Sequence, residues 1–180
     1  MTDKITTTLA AIRAKEPCKD GWTKLISSLG GIKEYGENTP LTFRQIYKNN
    51  GHSDMLWCLR ALPAEYAPLI RHFAVDCAEQ VNHLMTDPRS LNALVVARRH
   101  ADGLATDEEL KAAYAAAYAA AYAAAAYAAA AESAYAAAYA AAHSAAHAYS
   151  AAAQAQLLFE YCRTGKRVQN PERFFEGVTK

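Results

Sequence analysis

The sequence predicts an all-α protein, an irregular multi-helix bundle in which long alanine- and tyrosine-rich helices pack on shorter N-terminal ones. Three observations predict it. Alanine makes up 30 of the 44 residues from Ala112 to Ala155, and Glu132 is the only charged residue there. Alanine loses least on entering a helix and has no polar group to satisfy. Upstream, apolar residues recur at three- and four-residue intervals between Gly and Pro stops. No stretch alternates apolar and polar residues long enough to make a strand. A chain of 180 residues is expected to form one domain with a real core: short helices over 1–104, the long helices over 105–163, and a basic tail with a short helical turn over 164–180.

The elements follow in order. Ile5, Leu9 and Ile12 set a helix over residues 3–15, closed by Pro17. Trp22, Leu25, Ile26 and Leu29 mark a second over 19–29, with Gly30-Gly31 as its stop and a loop from Gly30 to Pro40. Thr42 and Gln45 have capping-box spacing for a short helix over 42–48. Ser53 is placed to cap the next, which carries Met55, Leu59 and Leu62 and ends at Pro63. Pro68 to Met85 shows Phe73, Cys77, Val81 and Leu84 on one side. Asp87-Pro88 starts a helix that runs to Asp102, and Gly103 stops it. Thr106 and Glu109 form a second capping box and open the alanine tract. Asn170-Pro171 starts a last helical turn.

Within the tract, Tyr114, Tyr118 and Tyr122 fall on one broad face with Tyr135, Tyr139, His143 and His147, inside an arc of about 140°. The expected role of that face is core packing, since aromatic stripes at helical spacing bury well. The competing role is a ligand wall of rings and hydroxyls. An unbroken helix from Thr106 to Cys162 would reach about 85 Å, against a diameter near 40 Å for a compact chain of this size. The tract is therefore expected to fold back, with Glu132-Ser133, Ser144 and Ser150 as break points.

Composition narrows the function classes. A net charge of +1 sets up no global field toward nucleic acid or an anionic membrane. The four cysteines, Cys18, Cys58, Cys77 and Cys162, form no CxxC pair and read as free thiols in a reducing compartment, the cytoplasm. The N-terminus lacks the apolar run of a signal peptide. Alanine is too weakly apolar for the uncharged run Ala113 to Ala131 to favour a membrane span.

Arg98 is the most informative single residue. Leu91, Leu94 and Val95 define the apolar stripe of its helix, and i+7 from Leu91 lands on Arg98. A charge there must be paired, and Asp76 and Gln80 on the preceding helix are the expected partners. Such a cluster either ties two helices together, with the arginine stem packed and its head reaching water, or lines a pocket for an anionic or nucleotide-like ligand. His143 and His147 share a face but lack a third metal ligand, Cys162 lying some 22 Å beyond His147 on a straight helix, so no metal and no cofactor are expected. Arg98-Arg99-His100 with Arg60, Arg71 and Arg89 could form a basic surface, yet without net charge or a reading helix nucleic acid is not the expected partner.

The runs Trp57-Cys58-Leu59-Arg60-Ala61-Leu62-Pro63 and Phe73-Ala74-Val75-Asp76-Cys77-Ala78-Glu79-Gln80-Val81, then Ala97-Arg98-Arg99, Ala101-Asp102-Gly103 and Thr106-Asp107-Glu108-Glu109-Leu110, resemble alanine-rich bacterial and phage proteins grouped as immunity proteins. The resemblance covers about Leu56 to Ala125. It implies a helical fold without agreed catalytic residues; those relatives carry Arg and Trp in the tract where this chain has Tyr and His. The function it implies is a non-enzymatic, cytoplasmic binding protein (host cytoplasm if phage-encoded), an immunity-type protein or phage inhibitor that neutralises a toxin or host defence factor by protein contact. An alternative is a binder of a small nucleotide-like ligand in a cleft of Tyr114, Tyr118, Tyr135, Tyr139, His143 and Arg98. A third is a structural, self-associating helical protein, hence a homo-oligomer.

Overall fold

The computed structural model describes residues 3–80, 82, 85, 87–129 and 151–176, and among them there are helices and no strand. The order is α1 (Leu9–Arg13), α2 (Lys19–Ser28), α3 (Ile32–Tyr35), α4 (Phe43–Asn50) and α5 (His52–Trp57), which tightens into a 3₁₀ turn at Cys58–Ala61. A second 3₁₀ turn, Ala64–Tyr66, leads into α6 (Ala67–Glu79), followed by α7 (Pro88–Ala101) and α8 (Asp107–Ala129). Residues 151–164 form α9, and Pro171–Phe174 a last 3₁₀ turn. The all-α expectation holds. No helix among the described residues is long and apolar enough to cross a membrane.

The chain resolves into two compact units interleaved in sequence: Met1–Ile70 with Ala151–Gln169, and Arg71–Ser150 with Asn170–Lys180. In the first unit the core is Leu9 and Ile12 of α1, Leu25 of α2, Leu41, Phe43 and Ile46 at α4, Met55 of α5, and Leu157, Leu158, Phe159, Tyr161 and Cys162 of α9. Nearly every side of α9 is covered, and its sequence switches there from alanine to large apolar residues, as a helix buried all round requires. Tyr47 meets Phe159 edge-on at 5.6 Å, and the Arg44 guanidinium lies 4.4 Å from the Phe159 ring centre.

Residues 3–8 are extended rather than helical. The run Ile5-Thr6-Thr7-Thr8 is β-branched throughout, and such side chains lose χ1 freedom in a helix. The segment acts as a strap: Lys4 and Ile5 N–H donate to the Cys162 carbonyl at 2.9 Å, and Thr7 exchanges two backbone hydrogen bonds with Leu41. Thr8 then caps the shortened α1 by accepting from Ala11 N–H. Two other expectations are corrected. The Gly30–Pro40 stretch contains α3, and α5 starts from Gly51 without a Ser53 cap. The Thr42–Gln45 capping box forms as expected.

The second unit contains the C-terminal part of α6, then α7, α8 and the Pro171–Phe174 turn. Phe73, Val75, Val96, Ala101 and Ala113 are buried in it. The expected extension of α6 to Met85 is not seen; it ends at Glu79. Glu132, Ser133, Ser144 and Ser150, the expected break points, lie outside the described residues.

All four cysteines are free, and of them Cys18 alone is exposed. Burial pushes the thiols of Cys58, Cys77 and Cys162 up from 9.0 to about 12, and the Asp54, Asp76 and Asp3 carboxylates add to this in turn. In the unfolded chain they ionise near 9.0, so higher pH draws the protein toward the unfolded state. Their stabilising contribution is complete below about pH 9 and is lost as pH rises toward about 12. Melting curves should therefore drop across that window more steeply for the wild type than for a variant with all three replaced by alanine. At neutral pH a thiol reagent should modify Cys18 ahead of the others.

Candidate functional site

The site that the sequence singles out is built on the end of α6 and the end of α7. Asp76 carries no solvent exposure at all, so its carboxylate must find its partners inside the unit. α7 brings one. Asp87 caps that helix through a 2.8 Å bond from Arg89 N–H, and Pro88 occupies its first turn. The side chain of Arg89 also bonds Asp87 and holds its carboxyl down to about 2. From this fixed start, α7 places Arg98 one turn before its C-terminus.

Arg98 Nη2 donates to Asp76 Oδ1 at 2.5 Å and to Glu79 Oε2 at 2.6 Å, while Nε donates to Glu79 Oε1 at 2.9 Å. The guanidinium thus grips Glu79 with two parallel bonds, the strongest geometry open to this pair. Nη1 lies 3.4 Å from His72 Nδ1, and Asp102 Oδ1 is 3.8 Å from the same nitrogen. For Arg98 to donate to Nδ1, the imidazole proton must sit on Nε2. The Arg98 side chain is 17% exposed. Its pKa is raised, chiefly by the Glu79 hydrogen bond; desolvation opposes this and Asp76 reinforces it.

Of the expected partners, Asp76 reaches Arg98. Gln80 turns back and donates to the Asp76 backbone carbonyl at 3.1 Å. The sequence reading did not single out Glu79 or His72, although His72, Asp76 and Glu79 stand at i, i+4 and i+7 and so share one face of α6. That stripe was the available signal.

The base of α8 is clamped to the same end of α7. Gly103, with φ of 76°, makes the left-handed exit. Its N–H donates to the His100 carbonyl and Leu104 N–H to that of Arg99, the double bond pattern of a Schellman stop. The Thr106–Glu109 capping box forms in both directions. His100 Nε2 lies 2.7 Å from Asp107 Oδ1, and Arg99 reaches the Leu104 carbonyl and Glu109.

From that base α8 rises with Leu110, Ala113 and Ala117 as its shielded stripe. Tyr114 and Tyr118 are 67% and 54% exposed, with their rings stacked 6.2 Å apart at 23°. For these two rings the expectation of core packing is corrected; the side chain of Tyr122 lies outside the described residues. Docking through alanine brings the helix in on its methyl stripe and leaves rings turned about 100° away from it outside. Tyr135, Tyr139, His143 and His147 lie outside the described residues. Among the described residues no group of three or more His, Cys, Asp or Glu is arranged to hold a metal ion. Comparison of the chain with protein-family models, curated proteins and solved structures returns no match.

Because Asp76 is wholly buried, replacing Arg98 by methionine should cost roughly 3–5 kcal/mol of unfolding free energy in urea titration. Gln80→Ala, which removes one local bond to the backbone, should cost about 1 kcal/mol or less by the same measurement.

Proposed function

We propose that this chain is a non-enzymatic helical binding protein that neutralises a protein partner by contact, with the Tyr114–Tyr118 pair in the contact surface. One observation carries the reading: two stacked phenol rings stand in solvent on a helix that a capping box opens and whose base His100 and Arg99 tie to α7. Tyrosine offers a large amphipathic surface with few torsions to freeze, which is why it is enriched in contact patches. Val95 and Leu104 of the same hairpin are 58% and 68% exposed, enlarging the apolar surface on offer. An immunity-type protein or phage inhibitor directed at a toxin or host defence factor is the form of this function that the sequence resemblance favours. The four free thiols favour the cytoplasm as its compartment.

The nucleotide-like ligand reading loses its anchor in this geometry. Two carboxylates already face the Arg98 guanidinium, so an incoming phosphate would meet their repulsion as well as its attraction.

The test is a Tyr114→Ala/Tyr118→Ala double variant. Both rings are exposed and alanine suits a helix, so melting should shift little, within about 0.5 kcal/mol per site. Retention of a partner from host lysate, identified and then assayed for inhibition, should fall by about tenfold or more, as loss of a central aromatic anchor does. Unchanged retention and inhibition would remove the pair from the contact surface. Capture of a second copy alone, seen by light scattering, would move the reading to self-association.

A further inference from the structure

The first unit contains a small open cleft, about 60 Å³ in volume, that the sequence reading did not anticipate. That is room for about four to six waters, enough for the charged head of a small ligand whose body lies across the open mouth. Ile12 and Leu25 give it an apolar floor, Trp22 and Trp57 line it, and Asp54 is the one acidic residue in its wall.

Asp54 is held in place. Asn50 Nδ2 donates to Asp54 Oδ2 at 2.8 Å and to the Gly21 carbonyl at the same distance, tying α4, α5 and α2 together. Nothing among the described residues donates to the other carboxylate oxygen, and no lysine or arginine among them pairs with Asp54. Two cations on the same elements are engaged elsewhere: Lys24 Nζ is 3.4 Å from the Asn50 backbone carbonyl, and the Arg60 guanidinium lies 5.6 Å from the Trp57 ring centre. Gly21 makes room for this arrangement. A Cβ there would stand 3.0 Å from Asp54 Oδ2 and 3.2 Å from Cys18 Sγ. Glycine favours a helix less than alanine does, yet here it lets the carboxylate lie close over α2.

We infer that this cleft binds a small organic cation, a protonated amine or guanidine carried on an apolar or aromatic body. The half-buried Asp54 carboxylate, oriented by Asn50 and with one oxygen open, supplies a charge-assisted acceptor. The indoles of Trp22 and Trp57 in the wall attract a cation or an aromatic body at the open mouth, and Ile12 and Leu25 meet the methylenes that enter. A carboxylate ligand of the same shape would be repelled by Asp54, and a neutral one would leave that charge unmatched.

Three probes with one indole body separate these cases: tryptamine, tryptophol and indole-3-acetate. Titrated calorimetrically into the full chain, tryptamine should saturate in or below the millimolar range, with the neutral and anionic probes weaker by about tenfold or more. Asp54→Asn, which keeps shape and an acceptor for Asn50, should weaken tryptamine by a similar factor. Gly21→Ala should do so too, by crowding Asp54 and Cys18 on a helix that alanine favours. Circular dichroism checks that both variants remain folded. The inference is overturned if tryptamine does not saturate, if the three probes bind alike, or if tryptamine binding survives in a folded variant of either kind.

Discussion

A carboxylate sealed from water is intolerable to a folded chain unless a cation meets it, and Asp76 sets that condition for the second unit. Arg98 meets it, and because a guanidinium has a fixed fork, Glu79 and His72 fall into place around the same head group. The register of α7 against α6 follows from that single pairing. Arg99 and His100 are the next two residues along α7, so fixing Arg98 also aims them at the start of α8. The direction in which α8 leaves, and with it the position of the stacked tyrosines, descends from a buried acid two helices earlier.

The alanine tract and α9 show two ways for an apolar helix to be stable. In α8 the intrinsic preference of alanine for the helix does most of the work, so over residues 107–119 one narrow stripe of contact suffices. In α9 large side chains surround the axis, and stability comes from their removal from water. The change of regime is visible at Gln154, after which Leu157, Leu158, Phe159 and Tyr161 replace the alanines. The described start of the tract, Tyr114 and Tyr118 included, is largely exposed, while the helix at its other end is core.

Much of the local structure was legible in the sequence. Thr42–Gln45, Asp87–Pro88, Gly103 and Thr106–Glu109 all act as capping chemistry says they should, because a cap depends on neighbours a few residues away. Arg98 and its bond to Asp76 were legible for a different reason: helical periodicity showed a charge on an apolar stripe. The exposure of Tyr114 and Tyr118 was not, since a ring stripe has the same spacing whether it faces a core or water. The Asp54 cleft was hidden more completely. Its walls run from Ile12 to Cys58, and only the tertiary fold brings them together.

The strap from Lys4 and Ile5 to Cys162 has a bearing on how the chain acquires its structure during synthesis. Residues 3–70 emerge from the ribosome before α9, and the α9 residues that complete their core arrive only after Arg71–Ser150 has been made. Until then Leu9, Phe43 and Ile46 lack the leucines and aromatics with which they are finally enclosed. Closing so distant a contact is slow relative to local helix formation, so the nascent N-terminal portion passes through an interval as a sticky, incomplete intermediate. The inserted hairpin, with its local caps and short loop, can form meanwhile. The order of translation and the order of consolidation are therefore opposed in this molecule: what is made first is finished last.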